Sequence, residues 1–113
     1  KVKRELLEKK SDNVLIGNIP SSTKKIAYKY KLTAENYKAQ AGKLSLFEAI
    51  PVSQDERIKV KVTQISQEPQ DKDWKVRKGV WRWELQLEPK AKKEIFYTVT
   101  VEFPRDMTVE GLE

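Results

Sequence analysis

The chain contains no cysteine and no histidine. Their absence excludes Ser-His and Cys-His catalysis, thiol chemistry, zinc fingers, His-ligated haem and iron–sulfur clusters. Zero cysteine is compatible with either redox compartment. Glycine is scarce: Gly17, Gly42, Gly79 and Gly111 lie too far apart to build a phosphate-cradling loop from neighbours. No Asn-x-Ser/Thr acceptor is present. No stretch approaches the ~18 apolar residues of a membrane-spanning helix, and no apolar signal-peptide segment is found. Apolar residues make up 38% of the chain, below the roughly 45–50% of typical domains.

What is abundant is charge. Charged residues are 35% of the 113, against roughly 25% in average domains. The size fits one domain with one modest core. The formal net charge is +6, yet no arm or tail concentrates it: residues 1–56 carry 11 basic and 7 acidic groups. Every basic stretch is broken by apolar or acidic residues, the pattern of a solvated surface that is also able to meet an anionic polymer. The chain opens on Lys1 rather than Met, and it is expected to be a fragment or processed product of a larger protein.

The dominant pattern is period-two alternation, which puts one set of side chains on each face of a strand. Ile26, Tyr28, Tyr30 and Leu32 alternate with Lys29 and Lys31; Ile58, Val60 and Val62 alternate with Lys59, Lys61 and Thr63. Trp81, Trp83, Leu85 and Leu87 alternate with Arg82, Glu84 and Gln86, and Ile95 to Phe103 alternates with Thr98, Thr100 and Glu102. Weaker strands are expected at Leu44–Phe47, running toward Ile50–Val52, and at Val14–Ile16, ended by Gly17. Val2–Leu7 permits a helix but reads better as a strand. Polar turns are expected at 18–23, 36–42 with Gly42 available for a positive φ, 53–56, and 66–72. Residues 88–93 look like a tight link between antiparallel neighbours. About seven to eight short strands, each with one apolar face, need a second sheet to cover them. The expected fold is all-β, an antiparallel immunoglobulin/fibronectin-like β-sandwich, with a small closed barrel as the alternative.

Chemistry-bearing constellations are weak. Asp55 and Glu56 are adjacent in a turn and diverge, whereas a glycosidase needs two carboxyls facing one bond. Asp71 and Asp73 lack the further oxygens and the glycine of a calcium loop. The sequence therefore predicts no catalytic residue, no metal site and no cofactor. Trp81 and Trp83 share the apolar parity of their strand and read as core. Trp74, between Asp73 and Lys75, reads as a loop anchor or, if exposed, as a stacking surface for a sugar ring. The aromatics lie mostly on the opposite parity from the lysines, which argues against nucleic acid. Should the strands of Lys29 and Lys31 and of Lys59 and Lys61 lie side by side, their four ammonium groups make one ridge. These four lysines and Trp74 are the candidate contacts for an anionic polysaccharide.

Two stretches carry a family resemblance. One is Ile50-Pro51-Val52-Ser53-Gln54-Asp55-Glu56-Arg57-Ile58-Lys59-Val60. The other runs from Gly79-Val80-Trp81-Arg82-Trp83 through Lys92-Lys93-Glu94-Ile95 to Phe103-Pro104-Arg105-Asp106-Met107-Thr108-Val109-Glu110-Gly111-Leu112. With Tyr28-Lys29-Tyr30 and Asn36-Tyr37-Lys38, they resemble the C-terminal part of bacterial mucoidy-inhibitor-like proteins over residues 24–112, with 1–23 matching loosely. The resemblance implies the last domain of a multi-part protein, a setting at the cell envelope, and no established reaction or ligand. The expected function is a non-catalytic accessory or interaction domain of a cell-envelope-associated protein, its partners the other domains of the parent chain. The alternatives are a carbohydrate or anionic-polysaccharide binding module, with an acidic polysaccharide as partner, and the C-terminal fragment of a hydrolase whose active site lies in missing domains.

Overall fold

The computed structural model describes residues 1–16, 19–53, 55–76 and 78–106. The positions expected to end a strand at Gly17 and open a turn at Asn18, Gln54 in the polar turn, and the closing motif from Met107 onward lie outside these residues. Within them the fold is all-β with antiparallel pairing throughout. Six strands form: β1 (Val2–Ile16), β2 (Ile19–Glu35), β3 (Gly42–Ala49), β4 (Lys59–Thr63), β5 (Val80–Leu87) and β6 (Lys92–Pro104). They make a four-stranded sheet of order β1-β2-β6-β4 and a two-stranded sheet of β3 and β5.

The count of six corrects the expected seven to eight. Val2–Leu7 and Val14–Ile16 are not separate elements but the two ends of β1. The intervening stretch, Glu8 to Asn13, has no apolar alternation because β1 is mostly exposed on both faces. Likewise Pro20 to Thr23 extend β2 rather than forming a loop. The expected immunoglobulin-like arrangement is not shown: among the described residues two strands, β3 and β5, cover the four-stranded sheet.

One apolar cluster holds the layers together. Tyr28, Tyr30, Leu32 and Ala34 of β2 and Ile95, Tyr97, Val99, Val101 and Phe103 of β6 face Leu46 of β3 and Trp81, Trp83, Leu85 and Leu87 of β5. Val60 and Val62 of β4 pack against its edge, half-buried. The Trp83 ring is fully buried, its centroid 6.1 Å from that of Tyr97, and its indole N–H donates to the Gln67 carbonyl at 2.7 Å. The tryptophan pair on β5 is core, as its parity requires.

Two local expectations are revised. The link 88–93 does not join paired neighbours: β5 pairs with β3, and β6 pairs with β2 and β4. The apolar faces of β5 and β6 look at one another, so the link carries the chain from one layer to the next. Lys90 takes a φ of 61° there, and the Ala91 amide donates to the Glu88 carbonyl at 3.0 Å. Gly42 opens β3 without a positive φ, whereas Gly79 has a φ of 79°. The turn at 36–42 is tied instead by Asn36, whose side-chain amide donates to the carbonyls of Gln40, Leu87 and Glu88.

Candidate functional site

β6 is one of the two inner strands of the larger sheet, between β2 and β4, and sets the geometry of its outer face. Val99 and Val101 point inward, so Thr98, Thr100 and Glu102 point outward. The registers of β1, β2 and β4 then build three cross-strand rows on that face. The first is Glu8–Lys29–Thr98–Thr63, the second Lys10–Ala27–Thr100–Lys61 and the third Asp12–Lys25–Glu102–Lys59. The middle row contains no carboxylate. Around it lies a shallow hollow of 250 Å³ lined by Glu8, Lys10, Lys25, Ala27, Lys29, Thr63, Gln64, Thr98 and Thr100. Its floor is made of short side chains, Ala27, Thr98 and Thr100. The Thr98 hydroxyl donates to Gln64 Oε1 at 3.1 Å.

The four lysines expected to form a ridge are all on this face, but they do not form one. β2 and β4 are not neighbours, since β6 lies between them. Lys31 is held by Glu94 at 3.4 Å and Glu5 at 3.8 Å. Lys59 shares its row with Glu102 and lines a separate hollow with Ser22, Thr23, Arg57, Phe103 and Pro104. Lys29 and Lys61 remain, on either side of β6. Lys10 and Lys25 join them, and sequence reasoning missed both. Lys25 precedes the first apolar residue of the β2 alternation, although it has the parity of Lys29. Lys10 changes face because β1 carries an extra residue: the register passes from Leu6↔Tyr30 to Glu8↔Lys29, leaving Leu7 as a bulge.

Trp74 is not brought to these lysines. It sits in a single 3-10 turn, Trp74–Val76, half-buried against Phe47 of β3 with ring centroids 4.7 Å apart. Phe47 points away from the core, on the outer face of the two-stranded sheet. Lys75 Nζ lies 4.6 Å from the centroid of the Trp74 ring.

The acidic candidates serve turns and ion pairs. Asp55 accepts from the Arg57 amide at 2.9 Å and from its guanidinium at 2.9 and 3.2 Å. Those hydrogen bonds hold the Asp55 carboxyl below the usual carboxylate range. Asp71 accepts from Arg82 Nε at 2.6 Å, and Asp73 from the Gly79 amide at 2.8 Å. Among the described residues, no group of three or more Asp or Glu side chains is gathered to hold a metal ion.

A half-buried charged group lies between the layers. The Glu48 carboxylate of β3 accepts from Arg4 Nε at 3.1 Å and from the Tyr97 hydroxyl at 3.2 Å. The Arg4 guanidinium lies 4.1 Å from the centroid of the Tyr30 ring. Burial raises the Glu48 carboxyl, opposed by the charge of Arg4 and the two hydrogen bonds. Burial and the Glu48 charge also raise the Tyr97 hydroxyl. This network ties β1 to β3, that is, one sheet to the other.

Among known proteins, a family model described as a domain of unknown function, DUF4139, matches residues 1–105. The match includes the first 23 residues, which the resemblance covered only loosely. No curated protein and no solved structure matches the chain.

Proposed function

The chain belongs to the DUF4139 family, whose description states no activity, and on that premise we propose that it is a non-catalytic interaction domain whose outer sheet face engages an acidic polysaccharide. The observation that carries this reading is the carboxylate-free row Lys10–Ala27–Thr100–Lys61, flanked on one side by Lys29 opposite Glu8 and on the other by Lys25 between Asp12 and Glu102. Lys10, Lys25 and Lys29 line the hollow together with one carboxylate, Glu8, over a floor of small side chains that leaves room for a polyanion. Thr100 offers a hydroxyl able to donate to a carboxylate or accept from a sugar hydroxyl. A role without catalysis is supported by the carboxylates themselves: Asp55, Asp71 and Asp73 are each engaged in turns or ion pairs. The likeness to mucoidy-inhibitor-like proteins favours a setting at the bacterial cell envelope, as one part of a larger chain.

The test is affinity for an acidic polysaccharide such as alginate at low and high salt. Electrostatic binding weakens as salt shortens the screening length. Lys25→Glu combined with Lys29→Glu, both lining the hollow, weakens it further, while Lys59→Glu, outside the hollow, has the smaller effect. Absence of binding, or binding indifferent to both salt and the double substitution, overturns the reading.

A further inference from the structure

β1 ends the larger sheet, and the edge of its backbone away from β2 pairs with no strand among the described residues. An edge of this length is a template for another chain. Charged side chains commonly blunt such edges, and β1 carries seven of them from Lys3 to Asp12. Their order, however, is self-complementary.

We propose that a second copy of this chain pairs with β1 edge to edge, antiparallel, about a two-fold axis between Leu7 and Glu8. In that register Lys3 lies opposite Asp12 of the other copy, and Glu5 lies opposite Lys10. Symmetry repeats each pair, so four opposite-charge pairs form across the junction. Pairing two strands this way demands that facing residues share a face. In a regular strand Lys3 and Asp12 have opposite parity and do not. The Leu7 bulge changes this: Lys3, Glu5, Lys10 and Asp12 all pair with outward-facing positions, Thr33, Lys31, Ala27 and Lys25 of β2. The inward set, Val2, Arg4 and Leu6, likewise meets Asn13, Ser11 and Lys9. The two bulges flank the axis symmetrically, so neither strand loses register.

Val2, Leu6 and Leu7 are exposed at 52%, 42% and 44%, and the pairing covers part of that surface, with Leu7 opposite Glu8 of the other copy and the two Leu7 side chains diagonal to one another across the axis. A register offset by two residues, with the axis between Leu6 and Leu7, sets Lys3 against Lys10 and Glu5 against Glu8, which cross-strand repulsion disfavours. The pairing joins the larger sheets of two copies into one, with both outer faces on the same side. It does not depend on the polysaccharide reading.

The test is sedimentation of the chain over a wide concentration range, with two variants whose folding is checked by circular dichroism. Lys3→Glu with Lys10→Glu places like charges at all four positions, as does Glu5→Lys with Asp12→Lys. Each variant alone is expected to dimerise about tenfold or more weakly than the wild type. Mixed together they restore every pair and form a heterodimer. As a second measurement, the Leu7→Cys variant, with a single cysteine in the chain, crosslinks two copies on mild oxidation. The Leu15→Cys variant, substituted far from the axis, does not. A wild type that stays monomeric throughout, charge variants that associate as the wild type does, or a mixture that stays monomeric overturns the proposal. So does crosslinking of the Leu15→Cys variant in place of the Leu7→Cys variant.

Discussion

Trp83 and Tyr97 meet across the interior, one from each sheet, their rings inclined at 29° with centroids 6.1 Å apart. The contact joins the two strands with the cleanest alternation, and the Trp83 ring has no exposed surface. Trp83→Ala is expected to cost about 3–5 kcal/mol, through lost burial and the cavity left behind. Equilibrium urea denaturation measures it. A loss under about 1 kcal/mol is incompatible with the packing described.

Thr33 offers a change of the opposite sign. Its hydroxyl is buried and has no hydrogen-bond partner. Leaving a polar group unsatisfied costs about 1–3 kcal/mol, and an apolar group of the same shape removes that penalty. Thr33→Val is therefore expected to stabilise the domain by up to about 1 kcal/mol. A clear loss of stability in the same denaturation assay means that the hydroxyl has a partner.

β6 is paired on both sides, by β2 along Lys92–Pro104 and by β4 along Thr98–Glu102. Its amides open only with the larger sheet. Hydrogen exchange at Tyr97, Val99 and Val101 is expected to be among the slowest in the domain. Exchange there as fast as in the exposed edge strand β1 contradicts the central placement.

Gly79 has a φ of 79° and sits directly against the chain at Ile50. A Cβ there lies 2.4 Å from the Ile50 carbonyl oxygen and 2.7 Å from Val52 Cγ2. Backbone cannot move aside as a flexible side chain can. Gly79→Ala is expected to destabilise by about 1 kcal/mol or more, from the positive φ alone before the clash is added. A melting curve unchanged from wild type shows that the 50–53 segment relaxes freely.

The residues announce some parts of this structure and hide others. A strand with one buried face must alternate, so β2, β4, β5 and β6 are legible from Tyr28, Val60, Trp83 and Val99 outward. β1 buries almost nothing, so nothing obliges it to alternate, and its Leu7 bulge reverses parity without any marker in composition. That one residue hides Lys10 from the candidate face and conceals the charge complementarity of the edge. Strand order is equally silent. Residues 88–93 are as short as a hairpin loop, yet they connect two layers because both flanking strands present large apolar faces. Lys31 looked equivalent to Lys29 because both have the same parity, but Glu5 and Glu94, remote in sequence, select only one of them.

Glu48 gives the pH dependence. Burial raises its pKa, so the folded protein holds the proton more tightly than the unfolded chain does. Between the ordinary carboxylate value and the raised folded value, the native state binds more protons than the unfolded state. Stability from this group therefore falls as pH rises through that window and levels off above it. Glu48→Gln keeps an acceptor for Arg4 Nε and the Tyr97 hydroxyl but cannot ionise. The stability of the variant relative to wild type is expected to increase from acid toward neutral pH, then stay constant. Paired urea titrations across that range measure the difference, in which groups common to both proteins cancel. A relative stability that instead declines with rising pH means that the attraction to Arg4 outweighs desolvation, and that the carboxylate is favoured rather than tolerated between the sheets.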